Sequence, residues 1–231
     1  MSRPLAIDLF CGLGGWTEGL LAEGYDVIGF DIERHEYGDL KYPAQLVLQD
    51  VLTLHGKQFK SASLIVASPP CQAYSYRAMP WKKARALPPP DNSLFEACFR
   101  IQREAIEAAG HHIPLVVENV RGAQPYVGRS RWNFGSFHLW GDVPALMPME
   151  SARKNTGGSW FNVAHNTTSG KGNNPDGRKG TGGSWFYDNK GGQRATSSKG
   201  KARRKYQALI AKIPLPLSRY IAQTFKPESF A

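Results

Sequence analysis

The chain has 231 residues, 41% of them hydrophobic and 21% charged, which suits a folded α/β domain with a small appendage and argues against a disordered chain. No apolar run approaches the roughly 18 residues that cross a bilayer, and Asp8 interrupts the apolar start too early for a secretion signal, so a cytoplasmic protein without a membrane contact is expected. Three cysteines, Cys11, Cys71 and Cys98, show neither Cys-x-x-Cys nor Cys/His ligand spacing, which supports no disulfide framework and no metal site.

Residues 5–10 read as a buried strand ending in the Gly-rich turn Cys11-Gly-Leu-Gly-Gly15, and a helix pattern runs from about Trp16 to Glu23 with Gly24 placed to end it. A second strand closes on Asp31, and Asp50 is expected to end the next. Leu64 to Ala67 is a short apolar strand that stops at Ser68-Pro-Pro-Cys71. The clearest helix spans 93–109, with Ser93 and Glu96 as a capping box, a face of Leu94, Cys98, Ile101, Ala105 and Ala108, and Gly110 as its stop. Leu115-Val-Val117 begins another buried strand. Strands alternating with helices predict an α/β fold with a parallel, doubly wound, Rossmann-like sheet whose ligands sit at the carboxyl ends of its strands.

Beyond about residue 140 this rhythm stops. Residues 151–205 hold twelve Lys/Arg against Asp176 and Asp188, so the whole net charge of +10 lies there and the rest is neutral. Thr-Gly-Gly-Ser-Trp-Phe occurs at 156–161 and again at 181–186. A neutral body with one basic segment fits a polyanion-binding arm; a solvated loop fits the charge equally. Likewise Trp160 and Trp185 can stack on bases or form a small core for polar loops. A last helix pattern covers about 204–212, and another begins near Ser218 after the break at Pro214 and Pro216. The expected division is 1–140, a catalytic and cofactor-binding domain; 141–205, a basic recognition segment; and 206–231, a helical segment returning to the first.

Chemistry concentrates at strand ends. Glycines in the 11–15 turn permit close approach of a ligand to the backbone; Asp31 can accept ribose hydroxyls and Asp50 an adenine amine, although each acid alone is also an ordinary loop-entry Asp. Cys71, held by two prolines straight after a buried strand, sits on a rigid turn at the ligand edge, whereas Cys11 and Cys98 suit packing. Glu118, directly after three apolar residues, is costly to bury without a partner and so marks a pocket, although taken without its neighbours a Glu that simply emerges into solvent fits the same pattern.

With these residues in order, Asp-x-Phe-x-Gly-x-Gly-Gly at 8–15, Pro-Cys-Gln at 70–72 with Ser75, and Glu-Asn-Val at 118–120, the chain resembles the cytosine-5 DNA methyltransferase family. The likeness runs well over about 4–135 and weakly over 204–225, and Gly-Ser-Phe-His-Leu-Trp-Gly at 135–141 is similar to compact, phage-type members. The resemblance implies a monomeric enzyme of restriction-modification type that transfers a methyl group from S-adenosylmethionine to carbon 5 of cytosine in double-stranded DNA, in a bacterial host's cytoplasm if phage-encoded. It implies Cys71 as nucleophile, Glu118 as acid, Asn119 as brace of the Pro-Cys loop, and a flipped target base. Its Arg-x-Arg base-holding pair would be Arg129 and Arg131, which follow Glu-Asn-Val by about ten residues rather than some tens. Its cofactor site would draw on Asp8, Phe10, Cys11, Gly12, Leu13, Gly14, Gly15, Asp31, Ile32, Asp50, Val51 and Pro70. Nucleic acid would meet Gln72, Ser75, a loop with Arg77, Trp81, Lys82, Lys83 and Arg85, and the basic arm with Trp160, Trp185, Lys201, Arg203, Arg204 and Lys205. The family's closing Gly-Asn-Ser-Val is missing, with Ile213-Pro-Leu-Pro-Leu-Ser218 as its variant. Two other activities fit the same motifs: methylation of tRNA, and nucleic-acid binding by a catalytically degenerate protein.

Overall fold

The structure is a computed structural model that describes residues 3–74, 88–147, 208–209 and 211–228. Met1–Met149 and Lys212–Ala231 form one unit; Glu150–Ala211, the second, lies almost wholly outside the described residues. In chain order the first unit holds β1 (Leu5–Leu9), α1 (Gly15–Ala22), β2 (Asp26–Asp31), β3 (Gln45–Leu48), β4 (Ala62–Ala67), α2 (Ser93–Ala109), β5 (Leu115–Asn119), α3 (Gln124–Val127), β6 (Trp132–Phe134), β7 (Phe137–Gly141) and α4 (Leu215–Thr224).

The seven strands pair in the order β3-β2-β1-β4-β5-β7-β6, a Rossmann-like sheet. The chain winds outward from β1 through β2 to β3, then crosses to β4 on β1's other side, so β1 and β4 flank the switch point where such sheets bind ligands. The central strands are near-continuous apolar runs because both faces are covered. Their period-2 alternation divides the side chains cleanly. Ile7, Leu9, Ile65, Ala67, Leu115 and Val117 face one side and pack with Phe95, Cys98, Ile101 and Ala105 of α2. Ala6, Leu64, Val66 and Val116 face the other and pack with Trp16 and Leu20 of α1 and Leu217 and Ile221 of α4. Each fully buried Leu or Ile contributes roughly 1.5–3 kcal/mol. Glycine lets α1 and α4 approach: a Cβ on Gly19 would sit 2.3 Å from Ser218 Oγ.

Four sequence expectations need correction. The sheet is mixed, because β7 runs antiparallel to both β5 and β6. Trp132 to Gly141 forms a hairpin over Gly135 (φ 61°), three and five residues per strand, too short to stand out as a periodic pattern. Ser93 does not cap α2: the Asp91 carboxylate accepts its N–H at 2.8 Å, so Ser93 lies inside the first turn and no Ser93–Glu96 box forms. The buried face of α2 is centred on Phe95, whose ring meets Trp140 edge-on at 5.4 Å, leaving Leu94 half-buried and Ala108 exposed. Finally, α4 starts at Leu215 rather than near Ser218, since Pro216 falls in the first turn, where a missing N–H costs no bond.

Candidate active site

The strand-to-helix turn after β1 is held from beneath. Thr17 on α1 donates to Asp8 Oδ2 at 2.6 Å and lies 2.7 Å from the Tyr42 hydroxyl. Burial, with a contribution from the Asp31 charge, raises the Asp8 carboxyl to about 7 against the Thr17 bond. Asp8 Oδ1 is buried with no hydrogen-bond partner among the described residues. Cys11, Leu13 and Val51 are likewise buried, so Asp8 and these three form the floor of the turn rather than its open face. Phe10 adopts φ 58°, the left-handed region, which re-aims the chain as it leaves the sheet.

The open face is Gly12. Its φ is +51°, and a Cβ there would meet nothing within 4 Å. Gly14 and Gly15 are small for another reason: a Cβ would fall 2.6 Å from the Pro43 ring and 2.3 Å from the Ile213 nitrogen. At the end of β2, Asp31 Oδ2 accepts the Gly12 N–H at 2.9 Å, which ties the turn to the neighbouring strand end. Burial pushes the Asp31 carboxyl up, but His35, at 3.6 Å from Oδ1, and the N–H groups of Gly12 and Glu33 outweigh it and hold the carboxyl below its usual range. Beside it Ile32 is 74% exposed. Asp50 stands two residues past β3, half-buried, capping the turn at 51–53 by accepting the Leu52 N–H at 2.9 Å. An open, left-handed glycine, an acid at each of two strand ends, an exposed Ile and an unpartnered buried oxygen form a cradle that fits an adenosine-type cofactor with a charged amino-acid tail.

At the ends of β4 and β5 the register pairs Ala67 with Val117, so the next residues, Ser68 with Glu118 and Pro69 with Asn119, lie side by side. Asn119 is buried, and its Nδ2 donates to the Pro69 carbonyl at 3.0 Å while its Oδ1 accepts the Val120 N–H. The Pro-Cys turn is thus clamped one residue before Pro70, with Pro70 exposed and Cys71 half-exposed at its tip. Burial pushes the thiols of Cys11 and Cys98 far up, which makes both poor nucleophiles. Cys71 alone among the three reaches the surface. Burial also pushes the Glu118 carboxyl up to about 8, with the Ser68 hydroxyl pulling the other way. A carboxylic acid held up to about 8 thus stands on the strand end that is clamped to the turn carrying Cys71.

Arg129 and Arg131 are exposed on the segment before β6. Between them Ser130 is pinned inward, its Oγ 3.3 Å from Gln124 Oε1 and 2.9 Å from His138 Nδ1. The Arg131 N–H donates to the Leu139 carbonyl at 2.8 Å, so both guanidinium groups project from a fixed backbone. Gln72 is exposed beside Cys71. Ser75, Arg77, Trp81, Lys82, Lys83, Arg85, Trp160, Trp185, Lys201, Arg203, Arg204 and Lys205 lie outside the described residues. Ser68, Trp16, Ser130 and His138 received no role from the sequence, although an indole N–H after a Gly-rich turn and a polar residue inside an apolar strand each signal a buried partner. Among the described residues no group of three or more His, Cys, Asp or Glu is placed to hold a metal ion, and no helix is long and apolar enough to cross a membrane.

The fold is that of a Rossmann-like methyltransferase. Residues 5–125 match the C-5 cytosine-specific DNA methylase family, and the chain belongs to that family. Solved structures similar to it include a candidate DNA modification methyltransferase encoded within a prophage of E. coli, at 23% identity and TM-score 0.38 over 55% of this chain and 35% of that one. They also include the Entamoeba histolytica methyltransferase EhMeth, at 19% and 0.38 over 55% and 41%, and the S. pombe Dnmt2 methyltransferase, at 19% and 0.38 over 55% and 37%. The chain therefore spans well under half the length of each of these structures. Comparison with curated proteins gives no match.

Proposed function

We propose that this chain methylates carbon 5 of cytosine in double-stranded DNA, with S-adenosylmethionine as methyl donor and Cys71 as covalent nucleophile. The observation that carries the reading is the Asn119–Pro69 bond at 3.0 Å, which joins the strand end bearing the acid to the turn bearing the thiol. S-adenosylmethionine would be held by the Gly12 backbone, Phe10, Asp31, Ile32 and Asp50, and it supplies an electrophilic methyl group. Cytosine carbon 5 is a poor nucleophile. The Cys71 thiolate therefore adds to carbon 6, forming a carbon–sulfur bond and moving the electrons of the 5,6 double bond towards carbon 5. Glu118 presents its proton to ring nitrogen 3 and accepts from the exocyclic amine, which favours the attacked ring over the ground state. After methyl transfer, a water takes the carbon 5 proton, the electrons of that bond restore the 5,6 double bond, and the carbon–sulfur pair leaves with Cys71 as thiolate. Carbon 6 is shielded in a stacked duplex, so the base must leave the helix. Arg129 and Arg131 hold it, and the basic stretch at 151–205 neutralises phosphates around it.

In a host free of cytosine methylation, expression of the chain is expected to leave bisulfite-resistant cytosines at one recurring sequence in the host DNA. Purified protein should label duplex DNA and not tRNA from radioactive S-adenosylmethionine. Labelling of tRNA alone would move the protein to an RNA-modifying role, and labelling of neither, with nucleic-acid binding retained, would make it a binding protein.

Asp31→Ala is expected to weaken S-adenosylmethionine binding by roughly 1–3 kcal/mol, the range for a lost charge-assisted hydrogen bond. DNA affinity measured without cofactor should not change. Calorimetric titration of the variant checks both, and an unaltered cofactor affinity would remove Asp31 from the site.

A further inference from the structure

Trp16 and Ser68 stand at the centre of a half-buried contact that the catalytic reading does not use. Alternation along β4 puts Ser68 on the face of Leu64 and Val66, and alternation along β5 puts Glu118 on the face of Val116. That face is the one α1 covers, with Trp16 only 2% exposed. Ser68 is fixed in position by its own backbone, whose N–H donates to the Leu9 carbonyl at 3.1 Å and extends the β1–β4 ladder by one residue. The Trp16 indole N–H donates to Ser68 Oγ at 3.0 Å. An indole N–H can only donate, so this bond takes a Ser68 lone pair and leaves the hydroxyl one proton to give. The Glu118 carboxyl, next to Ser68 on the same face by continuation of the β4–β5 register, is placed to take it, and the Ser68 hydroxyl holds the proton affinity of that carboxyl down.

We propose that Ser68 is a positioning residue for Glu118: oriented by the Trp16 indole, its hydroxyl donates to the Glu118 carboxylate and couples helix α1 to the acid through one side chain. This rests on the reading of Glu118 as the acid. The bond does two things. It fixes the carboxyl rotamer, as Asn119 on the opposite face of the same strand fixes the Pro-Cys turn. It also stabilises the ionised form, so it limits how far burial can raise the proton affinity of the group. The elements packed on the Glu118 face carry Asp8 on β1, Glu18 on α1 and Arg219 and Tyr220 on α4 as titratable groups, with Cys71 after β4, whereas His138, in register with Asn119, lies on the other face. The influences on the Glu118 carboxyl itself are burial and the Ser68 hydroxyl. A donor that is itself receiving a hydrogen bond is strengthened by it, so Trp16 tunes Glu118 at second hand.

The test uses the full chain and needs no substrate. The protonated-carboxyl stretching band assigned to Glu118 by its loss in Glu118→Gln is titrated by infrared difference spectroscopy. The wild-type midpoint is expected near 8. Ser68→Ala removes a donor to the carboxylate, so the midpoint moves to higher pH, by about half a pH unit or more, a threefold or greater change in proton affinity. Ser68→Thr, which keeps the hydroxyl, restores the wild-type midpoint, and Trp16→Phe falls between wild type and Ser68→Ala. In methyl transfer to duplex DNA the alkaline limb of kcat moves in the same direction in Ser68→Ala, with kcat at neutral pH reduced roughly tenfold and KM for the cofactor unchanged. A midpoint that does not move in a folded Ser68→Ala would overturn the proposal. A moved midpoint in a chain that methylates neither DNA nor tRNA would uphold the Ser68–Glu118 bond and sink the proposed function instead.

Discussion

Cys71→Ala is expected to reduce methyl transfer to background while leaving the fold and S-adenosylmethionine binding intact. The side chain is half-exposed on a clamped turn, so truncating it opens no core cavity and should shift the melting temperature little. The chemical consequence is larger, because no other thiol can replace it: Cys11 and Cys98 are buried with their thiols held firmly protonated. A substrate analogue makes the outcome visible. DNA carrying 5-fluorocytosine at the target site should trap the wild-type chain as an adduct that survives denaturing electrophoresis, because fluorine does not leave as a cation and elimination stalls after methylation. Cys71→Ala should give no adduct. An adduct persisting in that variant would mean that another residue attacks the ring.

Glu118→Gln should slow methyl transfer by at least about a hundredfold, the low end for a positioned acid, with cofactor binding nearly unchanged. The amide keeps the shape of the carboxyl and cannot lend a proton. Burial raises the wild-type carboxyl to about 8, so the acid is mostly protonated at neutral pH, and kcat should fall as pH rises through that value. The same shift carries a stability consequence. A group whose folded-state proton affinity exceeds its unfolded value stabilises the fold below the ordinary carboxyl range, and this contribution is lost as pH climbs towards about 8. Wild type should therefore lose stability between about pH 4 and 8 relative to Glu118→Gln, which carries no titrating group there. Urea midpoints of the two proteins across that interval test the sign. A loss confined to cofactor affinity, with kcat intact, would assign Glu118 to the cofactor site.

Much of this was legible in the chain before any coordinates. Leu-Ala-Ile-Asp-Leu, Ala-Ser-Leu-Ile-Val-Ala and Leu-Val-Val-Glu-Asn are apolar runs broken by acids, prolines or glycines, and a strand buried on both faces admits few other patterns. The proposed site residues sit where such runs stop, so linear order alone brought Asp31, Cys71, Glu118 and Asn119 to one edge of the sheet. What the sequence could not decide depends on neighbours far along the chain. The start of α2 was settled by the Asp91 carboxylate competing for one N–H, and its buried face by the Trp140 ring arriving from β7. The hairpin at 132–141 reversed the edge of the sheet because its strands are too short to show a period and gain their pairing from β5. The smallness of Gly15 answers to Ile213, almost two hundred residues later, and not to a ligand. Most consequential is the proton on Glu118. Its retention follows from desolvation inside a packed interface, against the pull of a serine held by a tryptophan on another element, and burial and pairing of that kind exist only once the layers have closed.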